Sequence, residues 1–269
     1  MSFDTFWHGT LGRPYRLHVR YTGDPTKQTI VLLHGIAASG EDWNKVLPYL
    51  DPNYFCITID LLGFGKSPKP AWLGYTVEDH IKSLHRTIRS LNISEPYILM
   101  GHSLGSLLAV RYARQHPKNI EKLLLLSPPI YPSLESITSR SAKRLTGLLL
   151  TIYKFLRGKK MTPETFKRLS YIAPLPKSVI TQPDIWVPFM RTLQQCIEKQ
   201  TVLEDVLATT IPIDICYGTL DQVVINANVE LLKNQSNVTL HEFMNTHDLT
   251  GRYGKLLARI LTPQSMPKN

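Results

Sequence analysis

The chain has 269 residues, 43% apolar and 19% charged, the make-up of an ordinary globular protein long enough for one large domain or a core with a modest insertion. No stretch approaches the roughly 18 uninterrupted apolar residues of a membrane span, so stable membrane insertion is not expected. Net charge is +10, yet the basic residues are not interleaved with aromatics and no helix-turn-helix or zinc-finger spacing occurs, so the excess reads as solvated surface and no nucleic-acid partner is expected.

The first ten residues, MSFDTFWHGT, lack a basic segment followed by an apolar one, so no secretory signal is expected. Across residues 5–21, Leu11-Gly12-Arg13-Pro14 is a turn signal between two strand-like pieces, which predicts a hairpin. Residues 29–33 (TIVLL), 55–59 (FCITI), 97–100 (YILM), 123–126 (LLLL) and 213–217 (IDICY) are apolar runs without alternation. Such runs predict strands covered on both faces, as in a parallel sheet. Between them lie helical patterns. Val77, Ile81, Leu84, Ile88 and Leu91 fall on one helix face, with Thr76 as N-cap and Asp79 as its capping-box partner. A second helix is predicted from about Ser103 to His116, stopped by Pro117.

The alternation breaks at 129–205, where the sequence is helical or irregular. Residues 136–156 read as a helix, Pro163 suits the first turn of another, and 184–207 holds at least one more. The fold class predicted is therefore α/β, a mostly parallel doubly wound sheet with an inserted helical cap. Its organisation is a core of 1–128 and 206–269 and a cap of 129–205. The cap carries 12 Lys or Arg against 6 Asp or Glu, densest at Arg157-Gly158-Lys159-Lys160, which reads as a solvated turn. Its aromatic and soft residues Tyr131, Tyr153, Phe155, Trp186, Phe189 and Met190 are expected mostly in the cap's own core. Cys56, Cys196 and Cys216 are odd in number, widely spaced and without metal-ligand spacing. Three reduced, mostly buried thiols fit a cytoplasmic protein.

The strongest chemical signal is Gly101-His102-Ser103-Leu104-Gly105, a Gly-x-Ser-x-Gly pentapeptide between a predicted strand and a predicted helix. A nucleophile lifted above the sheet needs a sharp turn, and backbone crowding there needs small residues two places before and after it. Ser103 is the candidate nucleophile and requires a base. His34 and His102 read as loop- and turn-shaping residues and His241 lies within a strand-like segment. His247 follows the last strand on a loop able to return over the carboxyl edge of the sheet, and is the candidate base. Asp221, just past 213–217, is the candidate acid that orients it, in the chain order Ser, Asp, His. Asp248 adjoins the base too closely to aim at it, Asp214 lies within a strand, and Ser127-Pro128-Pro129 offers no acid. The backbone N–H groups of Ile36 and Leu104 are the candidate oxyanion donors.

With these motifs the chain resembles the α/β-hydrolase superfamily, particularly its compact esterase-like members. The residues carrying the resemblance are His34-Gly35, 60–67 (DLLGFGKS), Gly101 to Gly105, Gly218-Thr219-Leu220-Asp221 and Thr246-His247. It covers nearly the whole chain outside the cap. The 60–67 turn is structural in that family. Thr246 and Ser106 stand where many relatives have Gly. The loop Gly35-Ile36-Ala37-Ala38 has a single glycine, which implies short or medium acyl chains and poor turnover of tertiary-alcohol esters.

The function expected is hydrolysis of a small-molecule carboxylic ester through a Ser acyl-enzyme, with no metal or organic cofactor. Lactone or carbon–carbon bond hydrolysis on the same triad is an alternative, and a non-catalytic ligand-binding protein is another. Haloalkane dehalogenases and epoxide hydrolases, also similar, need a carboxylate where this chain has Ser103.

Overall fold

The structure, a computed structural model, describes residues 5–50, 52–158, 162–171, 176 and 178–261. Residues 1–4 of the N-terminal segment, and Lys159 and Lys160 of the expected basic turn, lie outside the described residues. The strands are β1 (Val19–Thr22), β2 (Thr29–Leu33), β3 (Phe55–Ile59), β4 (Tyr97–His102), β5 (Ile120–Leu126), β6 (Ile213–Gly218) and β7 (Val238–Phe243). They form one sheet in the order β1-β3-β2-β4-β5-β6-β7, with β1 antiparallel to β3 and every other pair parallel.

Successive residues of the central strands enter different cores. Val31, Leu33, Leu99, Leu123 and Leu125 belong to one buried cluster, while Ile30, Leu32, Ile98, Met100, Leu124 and Leu126 belong to the other. Side chains alternate across a sheet. Both faces are therefore dry, which is why these strands read as unbroken apolar runs. The first face is covered by α1 (Val77–Ser90) and α2 (Leu104–Gln115), through Ile81, Leu84, Leu107 and Leu108. The second is covered by the short helical turns near Trp43 and Leu47 and by α9 (Gly251–Leu261), through Tyr253 and Leu257. The capping box of α1 is present: Thr76 Oγ1 accepts from the Asp79 N–H at 3.1 Å and Asp79 Oδ2 accepts from the Thr76 N–H at 2.9 Å. Such a box stabilises a helix start by about 1 kcal/mol.

The hairpin expected over residues 5–21 does not form. Residues Thr5–Thr10 wind into a short π-helical turn, and the His8 ring stacks on Tyr15 with centroids 3.7 Å apart. β1 finds its antiparallel partner in β3 instead, Val19 opposite Ile59. The Gly12 turn is present, with φ +60°, but its first arm is consumed by packing rather than pairing.

Between β5 and β6 the chain is helical: α3 (Arg140–Leu156), α4 (Pro163–Leu169), α5 (Ser178–Thr181), α6 (Trp186–Thr192), a π-helical turn (Leu193–Glu198) and α7 (Val202–Leu207). Pro163 stands at the first position of α4, as its fixed φ favours. Phe166 meets Trp186 and Phe189 edge to face, and these rings join the cluster that covers the first sheet face. Phe155 departs from the expected pattern: it points outward and is exposed. The return to the sheet is fastened by Asp205 on α7, which accepts from Arg111 Nε and Arg114 Nη1 on α2, each at 2.8 Å. The short α8 (Asn226–Val229) precedes β7.

Candidate active site

Ser103 lies between β4 and α2 with φ +52° and ψ −118°, a conformation that L-residues adopt only under constraint. Such strain costs about 1–3 kcal/mol and persists where the surroundings over-determine it. Here they do. A Cβ on Gly101 would stand 2.2 Å from the Gly105 carbonyl oxygen, and one on Gly105 would stand 2.3 Å from that of Leu33. No side chain fits at either place, so the two glycines let strand, turn and helix close on one another. Ser106, in place of a further glycine, shares its one hydroxyl proton between the Gly101 carbonyl at 2.7 Å and the Leu126 carbonyl at 3.0 Å, tying the turn to β5.

The three predicted side chains meet. Ser103 Oγ is 3.0 Å from His247 Nε2, and His247 Nδ1 is 2.9 Å and 3.1 Å from the two carboxylate oxygens of Asp221. Donation from Nδ1–H to the carboxylate leaves Nε2 as the acceptor facing the hydroxyl. Asp221 is fully buried on its side chain, while His247 is about a quarter exposed. Burial alone would raise the Asp221 pKa. Hydrogen bonds from His247, Ser127 and the Val224 backbone, with the charge of the imidazolium, outweigh burial and bring it down to about 2. The group is therefore an anion able to stabilise a protonated His247.

Four supporting residues escaped the sequence. Ser127, at the end of β5, donates its hydroxyl to Asp221 Oδ2 at 2.7 Å. A hydroxyl has one proton, so the Tyr253 hydroxyl, 2.7 Å from Ser127 Oγ, is the donor in that second bond. Asp221 Oδ1 accepts from the N–H groups of Val223 and Val224 at 2.8 and 3.0 Å, so both carboxylate oxygens are fixed. Asn245 is buried in the loop carrying His247: its amide donates to the Thr246 and Asp248 carbonyls and its oxygen accepts from Thr250. His102 donates Nε2–H to the His247 carbonyl at 2.8 Å, and burial pushes its pKa down to about 3, so it stays neutral. Serine, tyrosine and asparagine are common residues and nothing local marked those three, while His102 was read only as shaping the turn.

Leu104 is the first residue of α2, where N–H groups have no acceptor within the helix. Ile36 lies on the loop after β2, beside Ala37 at φ +56°. Among the described residues, neither N–H is paired with an acceptor. The loop is held from below by His34, which donates Nδ1–H to the Gly35 carbonyl at 2.7 Å and accepts from the Leu61 N–H at 2.8 Å. Burial lowers the His34 pKa to about 4, keeping the neutral form that this double role requires. Asp60 closes the adjoining turn by accepting from the N–H groups of Gly40 at 2.6 Å and Lys66 at 2.8 Å. The remaining candidates lie apart: His241 and Asp214 pair with each other at 2.6 Å, and the Asp248 backbone serves the Asn245 network.

A family model for the alpha/beta hydrolase fold matches residues 28–149, a span that contains Ile36, Ser103 and Leu104 and ends before Asp221 and His247. The "Probable lysophospholipase BODYGUARD 1" of Arabidopsis thaliana is 33% identical over 136 residues, covering 48% of this chain and 29% of that protein. The match thus spans under a third of that relative's length. Haloalkane dehalogenase DbeA from Bradyrhizobium elkani USDA94 superposes with a TM-score of 0.70 at 18% identity over 91% of each chain. The enol-lactonase from Burkholderia xenovorans LB400 does so with a TM-score of 0.67 at 19% identity over 91% of this chain and 94% of its own. At such identities the two structures speak to the fold and not to the chemistry.

Proposed function

Because the chain belongs to the α/β-hydrolase superfamily, we propose that it is a serine hydrolase of carboxylic esters, with Ser103 as nucleophile, His247 as general base and acid, and Asp221 as the orienting anion. The observation that carries this reading is the unbroken hydrogen-bonded line from Ser103 Oγ through His247 to the buried Asp221 carboxylate. His247 Nε2 takes the Ser103 proton as Oγ attacks the acyl carbon. The N–H groups of Ile36 and Leu104 receive the oxyanion, each worth roughly 3–4 kcal/mol of barrier. His247 then protonates the leaving alcohol, and water cleaves the acyl-enzyme by the reverse proton path. Every step uses groups of the chain itself, so the reading calls for no metal or organic cofactor. A carboxylate nucleophile, as dehalogenation requires, is not what stands at position 103.

The helices of 129–205 act as a cap in this reading. Two contacts support it: Ser178 Oγ donates to the Ala37 carbonyl on the Ile36 loop, and the Tyr131 hydroxyl donates to the Val223 carbonyl on the Asp221 loop at 2.7 Å. The cap thus touches both the oxyanion side and the acid side of the site. Three buried thiols fit a reducing, cytoplasmic setting. The test is turnover of acyl esters of graded length alongside lactones. Short and medium esters are expected to be hydrolysed and a tert-butyl ester to be poor; a purified, folded protein inert on the whole panel contradicts the reading.

A further inference from the structure

Helix α3 has two apolar faces. The inner one packs Ala142, Thr146, Tyr153 and Leu156 into the body of the protein. The outer one shows Leu145, Leu148, Ile152 and Phe155 to solvent, 45%, 56%, 40% and 63% exposed. Their spacing of three, four and three residues places all four on one stripe running along most of the helix. Single exposed apolar residues are ordinary, but an aligned set of this size marks an interaction surface.

The charges beside the stripe decide what it meets. α3 contains no Asp or Glu. Arg144, four residues before Leu148, borders the stripe, Arg140 lies one turn earlier on the same edge, and Lys143 and Lys154 lie farther round the helix; all four are exposed, and among the described residues none is ion-paired. An apolar stripe edged by unpaired bases matches a surface that is negative on top and hydrocarbon beneath. A second copy of the same helix would bring these bases against one another. No helix among the described residues is long and apolar enough to cross a membrane, so contact would be peripheral.

We propose that the outer face of α3 docks the protein onto an anionic lipid surface, with Leu148 and Phe155 entering the headgroup boundary and Arg140 and Arg144 meeting lipid phosphates. The position has a consequence for the site. On the inner face of α3, Tyr153 hydroxyl lies 3.2 Å from that of Tyr131, which holds the Asp221 loop through Val223. Docking therefore sets the helix that reaches the Asp221 loop through Tyr131 against the surface from which a lipid-derived substrate would come.

The test is flotation of the purified protein with phosphatidylcholine vesicles, with and without phosphatidylserine. Binding is expected to the phosphatidylserine vesicles and to fall as salt rises. Leu148→Ser with Phe155→Ser should weaken partitioning by about tenfold or more, and Arg140→Ala with Arg144→Ala by about tenfold. These exposed residues touch no part of the site, so turnover of a soluble short ester should stay at the wild-type rate in both variants. Native protein that floats with neither vesicle overturns the proposal. So does binding unchanged by both double variants, or a wild-type dimer that Phe155→Ser dissociates.

Discussion

Around Ser103 almost every polar atom is held by another, whereas along the outer face of α3 neither the apolar side chains nor the bases have partners among the described residues. The site is built where β2, β4 and β5, neighbours in the sheet, come to an end. Each is followed within four residues by a non-glycine residue at positive φ: Ala37 at +56°, Ser103 at +52° and Ser127 at +45°. In the proposed mechanism these three supply the oxyanion loop, the nucleophile and the support of the acid. Strain gathered in this way needs a rigid sheet to hold it, and rigidity is what places a nucleophile, base and donors to fractions of an ångström. The proposed docking face of α3 requires only periodicity, because a lipid surface has no fixed register. Precise chemistry thus depends on contacts far apart in the chain, and adhesive chemistry on one helix.

That contrast can be broken most severely at the nucleophile. Ser103→Ala removes the attacking atom and should lower kcat/KM by about 10⁴–10⁶-fold with an unchanged fold; a variant retaining more than a few per cent of activity would place the nucleophile elsewhere. Asp221→Asn comes next. The Val223 and Val224 N–H groups require an acceptor at one terminal atom, so the amide oxygen turns to them and its NH₂ faces His247. A donor there selects the wrong imidazole tautomer, and the expected loss is about 10⁴-fold, the size known for this change in a serine protease. Undiminished turnover by this variant would dismiss Asp221.

The same carboxylate should mark the acid limb of stability. Its folded pKa of about 2 lies below the ordinary value near 3.8. The anion therefore contributes, on the order of 2 kcal/mol, above about pH 4, and the contribution disappears as pH falls through about 2. Urea midpoints of wild type and Asp221→Asn should differ most at neutral pH and converge toward pH 2–3; a gap that widens on acidification has the wrong sign. The smallest effect is expected at Ser127→Ala, which deletes one bond to a charged group that keeps three others. A fall of about tenfold in kcat with KM nearly unchanged is the expected reading.

Much of the site was legible because its requirements are local. Gly101 and Gly105 are dictated by contacts of 2.2–2.3 Å that exclude any side chain, and such exclusion leaves a mark in sequence. Asp221 could be placed because it follows the plain apolar run 213–217, and His247 because it follows the last strand-like segment. The strand cores at Thr29–Leu33 and Phe55–Ile59 carried the same signal. Ser127, Tyr253, Asn245 and His102 were illegible because their roles consist of long-range pairings, such as Ser127 with a carboxylate 94 positions away. The N-terminal hairpin failed for a related reason: β1 has strand character, but which strand it pairs with is a tertiary decision. Phe155, one of six cap residues expected mostly in its core, lies outside it because aromatic identity alone does not say which side of a helix faces water.

The most direct measurement is labelling with a fluorophosphonate, followed by mass mapping of the modified peptide. The account requires one adduct per chain, on Ser103 Oγ, formed by wild type and absent from Ser103→Ala. Folded wild-type protein that stays unlabelled, or carries the adduct on another residue, would contradict it.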